Sequence, residues 1–117
     1  RTLRADVRQL HLASCYRLDV WSSDTPRRIA PADLLPGDIA VVGPADKPRG
    51  AHIVIATQAP SGAWIETCEG NASGPGPDGT HHEGVIRRRR PLTANDPRIY
   101  RVHYGVRPLA EDVDPHL

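Results

Sequence analysis

Three short apolar segments separated by turn residues occupy residues 35–71, and they constrain the fold more than any other feature of the chain. Runs of β-branched and small apolar residues bounded by Gly, Pro and Asp are typical of β-strands. The predicted strands are Asp38–Val42, Ile53–Thr57 and Trp64–Cys68. The second is apolar on both faces, as expected for a strand in the middle of a sheet. The sequence therefore predicts an antiparallel β-sheet centred on this segment.

The rest of the chain predicts one helix before this sheet and two strands after its third strand. Apolar or small residues recur at helical spacing between Arg1 and Val20, which indicates an amphipathic helix. The members of this stripe are Leu3, Val7, Leu10 and Ser14. Glu83–Arg90 and Ile99–Tyr104 have the composition of a fourth and a fifth strand. The segment 71–82, rich in Gly and Pro, predicts a mobile surface loop, and we expect Arg27–Ala32 to be a connector.

Length and composition limit the class of protein. With 117 residues, the chain has room for one domain with a modest core. We expect this domain to cover residues 1–108, followed by a flexible acidic tail at 109–117. No apolar run reaches the length of a membrane span, and a formal net charge of +1 favours no class of charged partner. The sequence contains no Met, so we expect that Arg1 is not the natural first residue.

A histidine, a carboxylate and a carboxamide stand at the ends of two successive predicted strands. His52 precedes the second strand, and Glu69 and Asn71 follow the third. If these strands pair antiparallel, the side chains can meet in the geometry that a histidine base and its orienting partner need. We therefore predict that His52 and Glu69 lie within hydrogen-bond reach. The alternative is a histidine bonded to backbone, with Glu-Gly-Asn acting only as a turn.

The order of these motifs resembles that of the CHAP and NlpC/P60 cysteine peptidases and amidases of bacterial cell walls and phage lysins. The resemblance covers Leu34 to Arg90 and consists of Pro-Gly-Asp, an apolar strand, Ala-His-Ile-Val-Ile, Glu-Gly-Asn and a strand of arginines. Ala51 and Val54 stand where the family carries glycines.

This resemblance implies a papain-like α+β fold, in which a helix packs on a small, mostly antiparallel sheet of about five strands. It implies hydrolysis of amide bonds in peptidoglycan by a Cys-His-Glu/Asn mechanism that needs no cofactor or metal. The implied location is extracellular, periplasmic or virion-associated. The implied partners are a cell-wall polymer and other subunits of a phage or secretion-type assembly.

The nucleophilic thiol is the part of this mechanism that the motifs do not locate. Cys15 is the only cysteine before His52, as the papain-like order requires. The predicted helix, however, places Cys15 far from a helix N-terminus, where the dipole would lower the pKa of a thiol. Cys15 also stands closer to Pro36 than the family's nucleophile does. We therefore expect the nucleophile to precede Arg1, and we expect Cys15→Ala to change no catalysis.

Three other groups of residues have weaker functional interpretations. Cys68 points to the opposite face of its strand from its neighbours, as a core thiol does. His81 and His82, taken with Cys68 and Asp78, lack the spacing of a zinc site, which favours a polar loop. The arginines at 87–90 alternate between two faces, which favours a solvated edge strand over a nucleic-acid surface.

The competing function is a non-catalytic module of the same fold that binds cell wall or a partner.

Overall fold

The computed structural model describes residues 2–75 and 81–114, with side chains at 2–70 and 85–114. The described residues form one six-stranded sheet in which every pairing is antiparallel. Its strands are β1 Arg28–Ile29, β2 Ile39–Gly43, β3 His52–Ala56, β4 Trp64–Pro75, β5 His81–Pro91 and β6 Arg101–Val106. Their spatial order is β1-β6-β2-β3-β4-β5, so the predicted central segment does lie inside the sheet.

The expected papain-like α+β fold is wrong, because the described chain is mostly β-sheet. One helix there exceeds a single turn, α2 at Cys15–Ser22, whereas α1 at Ala5–Arg8 has four residues. The continuous helix predicted from Arg1 to Val20 is interrupted at His11, whose φ of 54° is incompatible with a right-handed helix. Short 3₁₀ turns at Pro31–Asp33 and Ala110–Asp112 complete the helical elements of this part of the chain.

The strand boundaries differ from the sequence-based prediction at the periphery more than at the centre. β2 and β3 each lie within one residue of the predicted segments. The predicted loop at 71–82 is replaced at both ends by continuing strands β4 and β5, and residues 76–80 lie outside the described residues. β6 is shifted by two residues towards the C-terminus. The predicted connector contains β1, which pairs with the end of β6.

The sheet carries a separate apolar cluster on each of its two faces. Face A is the side on which Val42 and Val54 are buried in one cluster. Face B is the opposite side, on which Val41 and Ile53 contact a second cluster, and helix α2 packs there through Leu18. Successive side chains on a strand alternate between faces. The position of a residue along β3 or β4 therefore determines which of these two environments it enters.

The segment that follows Pro108 packs against the beginning of the chain. Asp112 is buried and accepts hydrogen bonds of 2.8 Å from both Nε and Nη2 of Arg27. Leu3 forms an antiparallel bridge with Val113. Residues 109–114 of the expected flexible tail are therefore held by contacts, while residues 115–117 lie outside the described residues. Across the described ranges, no helix has the length and apolarity needed to cross a lipid bilayer.

Candidate functional site

The turn before β3 determines where His52 stands. Gly50 adopts a φ of 88°, in the left-handed region that favours glycine. A Cβ on Gly50 would lie 2.1 Å from Cγ1 of Val41, so this position has no room for a side chain. The next residue, Ala51, donates its backbone N–H to the carbonyl of Val42 at 2.8 Å. The turn thus begins the β2–β3 pairing and brings His52 opposite Val42.

Glu69 is fully buried on face A of β4, where it is held by several donors. Nε of Arg90 donates to Oε2 of Glu69 at 2.7 Å, and Nη2 donates to Oε1 at 2.6 Å. The hydroxyl of Thr67 donates to Oε2 at 2.9 Å. Burial by itself raises the pKa of Glu69, but Arg90, Thr67 and the nearby His52 together lower that pKa below its ordinary value. Glu69 is therefore an anion at neutral pH.

His52 and Glu69 lie together, which confirms the predicted proximity. Nε2 of His52 is 3.3 Å from Oε1 of Glu69. The His52 side chain is 30% exposed and that of Glu69 is 0% exposed, so the ring lies between the buried carboxylate and solvent. An ionised carboxylate only accepts hydrogen bonds, so its proximity favours a neutral imidazole that carries its proton on Nε2. The nitrogen left free to accept a proton is then Nδ1.

The arginines of β5 that contact this site were not predicted from the sequence. Residues 88 and 90 of β5 pair with Thr67 and Ile65 of β4 and so share face A with Glu69. Nε of Arg88 lies 3.9 Å from Oε1 of Glu69, and Arg90 forms the two short bonds described above. β5 is therefore an edge strand, as expected, but the arginines on its face A contact Glu69 and are not simply solvated. This contact could have been predicted. Side chains alternate along a strand, so two of the four arginines at 87–90 had to share a face with a carboxylate on the neighbouring strand.

An open cleft of about 690 Å³ borders His52. It is lined by residues 13–16, which include the start of α2, by residues 50–53, and by Gly70. The cleft therefore lies at the end of the sheet, where β3 begins. A ligand in this cleft would contact both the beginning of α2 and the beginning of β3.

Cys15 occupies a different position from the predicted one. It is the first residue of α2, and the side chain of Ser14 caps that helix. The prediction that Cys15 lies late in a helix is therefore wrong, and Cys15 lines the same cleft as His52. Its side chain nevertheless packs with the cluster on face B, while His52 shares face A with Val54. Within the described part of the chain, no hydrogen bond joins the Cys15 thiol to the His52 ring.

Burial of Cys15 disfavours its thiolate in this arrangement. Burial raises the pKa of the Cys15 thiol above its ordinary value, and a hydrogen bond from the backbone N–H of Cys15 to its own sulfur opposes that increase only in part. The helix N-terminus favours a thiolate, but it acts here on a half-buried group. Cys15 therefore lines the cleft as a half-buried thiol with a raised pKa.

Cys68 also lies on face B. It pairs with Ile55 of β3, and both alternate with residues whose side chains point to face A. The thiol is half-buried and does not form a disulfide. The chain has two cysteines, and both are on the face opposite to the His52–Glu69 pair.

The remaining predicted residues fall where side chains are not described. Asn71 belongs to β4, but its side chain lies outside the described residues, as do those of His81 and His82. Asp78 lies outside them entirely. In the parts of the chain with described side chains, no three His, Cys, Asp or Glu residues are grouped so that they could hold a metal ion.

Comparison of the chain with family models, with curated proteins and with solved structures gave no match.

Proposed function

We propose that His52 and Glu69 are the base and its orienting residue in a cysteine-type hydrolase that cleaves amide bonds in peptidoglycan. The observation that carries this proposal is the 3.3 Å contact between Nε2 of His52 and Oε1 of Glu69 beside an open cleft. A histidine base oriented by a third group is a recurring arrangement in nucleophilic catalysis by a thiol. The substrate class rests on the order of the sequence motifs alone.

In the proposed reaction, Nδ1 of His52 takes the proton of a thiol, and the thiolate attacks the carbonyl carbon of the amide. Glu69 stabilises the resulting imidazolium, which then gives its proton to the amine as the C–N bond breaks. A water molecule, deprotonated by the same nitrogen, attacks the thioester. This second step releases the carboxylic acid and returns the proton to the thiol. No net oxidation or reduction occurs.

Both cysteines of this chain lie on face B, whereas His52 shares face A with Glu69. We therefore propose that another segment or another chain supplies the reacting thiol. Cys15 is the alternative nucleophile because it lines the cleft. Its raised pKa and its position on face B argue against this role.

The test is hydrolysis of purified peptidoglycan by the protein expressed from its complete reading frame, with released amines as the measurement. Loss of general acid–base catalysis typically lowers rates by about 10²–10⁴-fold, so we expect His52→Ala to lose activity on this scale. Glu69→Ala should lose activity as well. Cys15→Ala and Cys68→Ala are the matched controls and should retain it. Unchanged hydrolysis by His52→Ala would contradict the proposal.

Alkylation by iodoacetamide separates the two candidate nucleophiles. In a Cys68→Ala background, Cys15 is the only thiol of these 117 residues. We expect it to react more slowly at neutral pH than free cysteine, because a raised pKa leaves less thiolate. We also expect His52→Ala to leave this rate unchanged. Fast alkylation that depends on His52 would identify Cys15 as the nucleophile.

The second candidate function is a non-catalytic module that binds peptidoglycan or a partner at the same cleft. It is favoured by one observation, since Glu69 is already satisfied by Arg90 and Thr67 and needs no reaction partner. The same protein would then show no hydrolysis but would sediment with insoluble peptidoglycan. A change of His52 or of Gly70 at the cleft should weaken that binding.

A further inference from the structure

We propose that Arg90 is a positioning residue that fixes the tautomer of His52 by acting through Glu69. The catalytic consequence of this inference rests on the proposed function, whereas the contact and its spectroscopic test do not. Arg90 does not approach a substrate in this proposal. It determines which oxygen of Glu69 faces the imidazole ring. It also determines whether the Glu69 carboxyl group is ionised.

The geometry fixes the orientation of the Glu69 carboxylate. A guanidinium that donates to both oxygens holds the plane of a carboxylate as well as its position. Arg90 bonds Oε2 at 2.7 Å and Oε1 at 2.6 Å, while Thr67 adds a third donor on Oε2. Oε1 is left as the oxygen that faces Nε2 of His52. Rotation of the carboxylate away from His52 would break these three bonds.

The charge of Arg90 fixes the protonation state of the same carboxylate. Glu69 is fully buried, and a buried carboxyl group without a cation tends to take up a proton. A protonated Glu69 could donate a hydrogen bond to Nε2 and so favour the opposite tautomer, with the proton on Nδ1. An ionised Glu69 can only accept, which keeps the proton on Nε2. Arg88 is a second cation near the carboxylate, but its Nε is 3.9 Å away.

The chain contains a matched pair with which this effect can be compared. Arg107 donates to both oxygens of the buried Asp38, at 2.8 and 2.6 Å. This pair has the same chemistry as Arg90–Glu69 but lies just before β2, whereas His52 pairs with Val42 near the end of that strand. The remaining hydrogen bond of the Asp38 carboxylate comes from the backbone N–H of Leu35. Loss of Arg107 should destabilise the fold as loss of Arg90 does, but it should leave the His52 ring unchanged.

The experiment measures the ¹⁵N chemical shifts of the His52 ring at a pH where the ring is neutral, with the signals assigned by their loss in His52→Ala. The wild-type protein should show one tautomer with the proton on Nε2. Arg90→Gln, which removes the charge but keeps a polar group of moderate size, should lose this single-tautomer signature. Arg90→Lys, which restores the charge, should recover it. Arg107→Gln should keep the wild-type signature.

The inference is overturned if Arg90→Gln retains the wild-type tautomer or if Arg107→Gln loses it as well. If Arg90→Gln does not fold, the wild-type and Arg90→Lys spectra still test the inference, since a ring with its proton on Nδ1 in either protein overturns it. Failure of the proposed function gives a different result. In that case the tautomer would respond to Arg90 as described, but peptidoglycan would not be hydrolysed.

Discussion

Burial of a carboxylate does not by itself mark a functional residue in this protein. The acidic residues that are buried in the described part of the chain are Asp38, Glu69 and Asp112. Each accepts two hydrogen bonds from an arginine, and in each the arginine lowers the carboxyl pKa. Such pairs are what allow a charge to be buried at all. Glu69 is distinguished by the ring of His52 on Oε1, and only this contact gives it a candidate role.

Asp38 should contribute to stability and not to the candidate site. Asp38→Ala removes the acceptor of the Leu35 N–H, at 2.8 Å, and of both Arg107 donors. Because Arg107 is 41% exposed and can be solvated, we expect a loss of about 2 kcal/mol in the free energy of unfolding. The measurement is chemical denaturation, with the ring signals of His52 as a check that the site persists.

The control for Asp38 is Asp96→Ala. Asp96 makes an equivalent pair with Arg98, but the side chain of Arg98 is 88% exposed. Exposed pairs of this kind contribute little to stability, so this variant should unfold almost as the wild type does. Equal losses in the two variants would show that the buried position of Asp38 is not what matters.

At the scale of elements, the central strands could be predicted from the sequence, whereas the helices could not. β2 and β3 have β-branched residues bounded by Gly and Pro, and both signals are local. The stripe Leu3, Val7, Leu10 and Ser14 has helical spacing, but Ser14 is an N-cap and not a member of a continuous helix. A serine before a new helical turn is a start signal. Because Ser14 was counted in the stripe, the two helices were predicted as one continuous helix through His11, and Cys15 was predicted to lie late in that helix.

The turn before β3 should be sensitive to substitution because it combines an unusual backbone conformation with close packing. Gly50 and Gly62 both have positive φ, at 88° and 60°. Alanine is strained by about 1–2 kcal/mol in the left-handed region. At Gly62 no atom beyond the two chain neighbours lies within 4 Å of the added Cβ, so this strain is the main effect. At Gly50 the Cβ would also meet Val41 at 2.1 Å.

We therefore expect Gly50→Ala to lower the melting temperature well beyond the effect of Gly62→Ala. We also expect it to displace the start of β3 and to disturb the ring signals of His52, which Gly62→Ala should preserve. Thermal unfolding monitored by circular dichroism, together with the same NMR signals, measures both effects. Equal destabilisation by the two variants would show that the contact with Val41 relaxes without affecting the site.

At the scale of the whole molecule, the arrangement depends on pairings between residues that are distant in the sequence. β6 lies between β1 and β2, and Arg27 pairs with Asp112 across 85 positions. Periodicity and turn residues are local signals, and they do not specify which strands become neighbours. The His52–Glu69 contact was predictable because β3 and β4 are consecutive. The position of Cys15 on face B was not, because it depends on how residues 2–22 pack on the finished sheet.

The last prediction concerns acid stability, which this distribution of buried ion pairs should determine. The pKa values of Asp38, Glu69 and Asp112 are lower in the folded protein than their ordinary values. A group of this kind stabilises the fold fully above its unfolded-state pKa, about 4, and this contribution is lost as the pH falls through the folded-state pKa. These three groups should therefore leave stability unchanged between about pH 7 and pH 5 and should lower it steeply below about pH 4.

Urea denaturation at a series of pH values measures this dependence directly. Asp112→Asn is the informative variant, because it removes one titrating carboxylate while keeping a polar side chain of the same shape. It should be less stable than the wild type at neutral pH, and the difference should shrink as the pH falls below about 4, where Asp112 of the wild type takes up its proton. High salt should weaken the effect only slightly, because buried pairs are poorly screened. A difference that stays constant down to about pH 2 would mean that Asp112 contributes through packing and not through its charge.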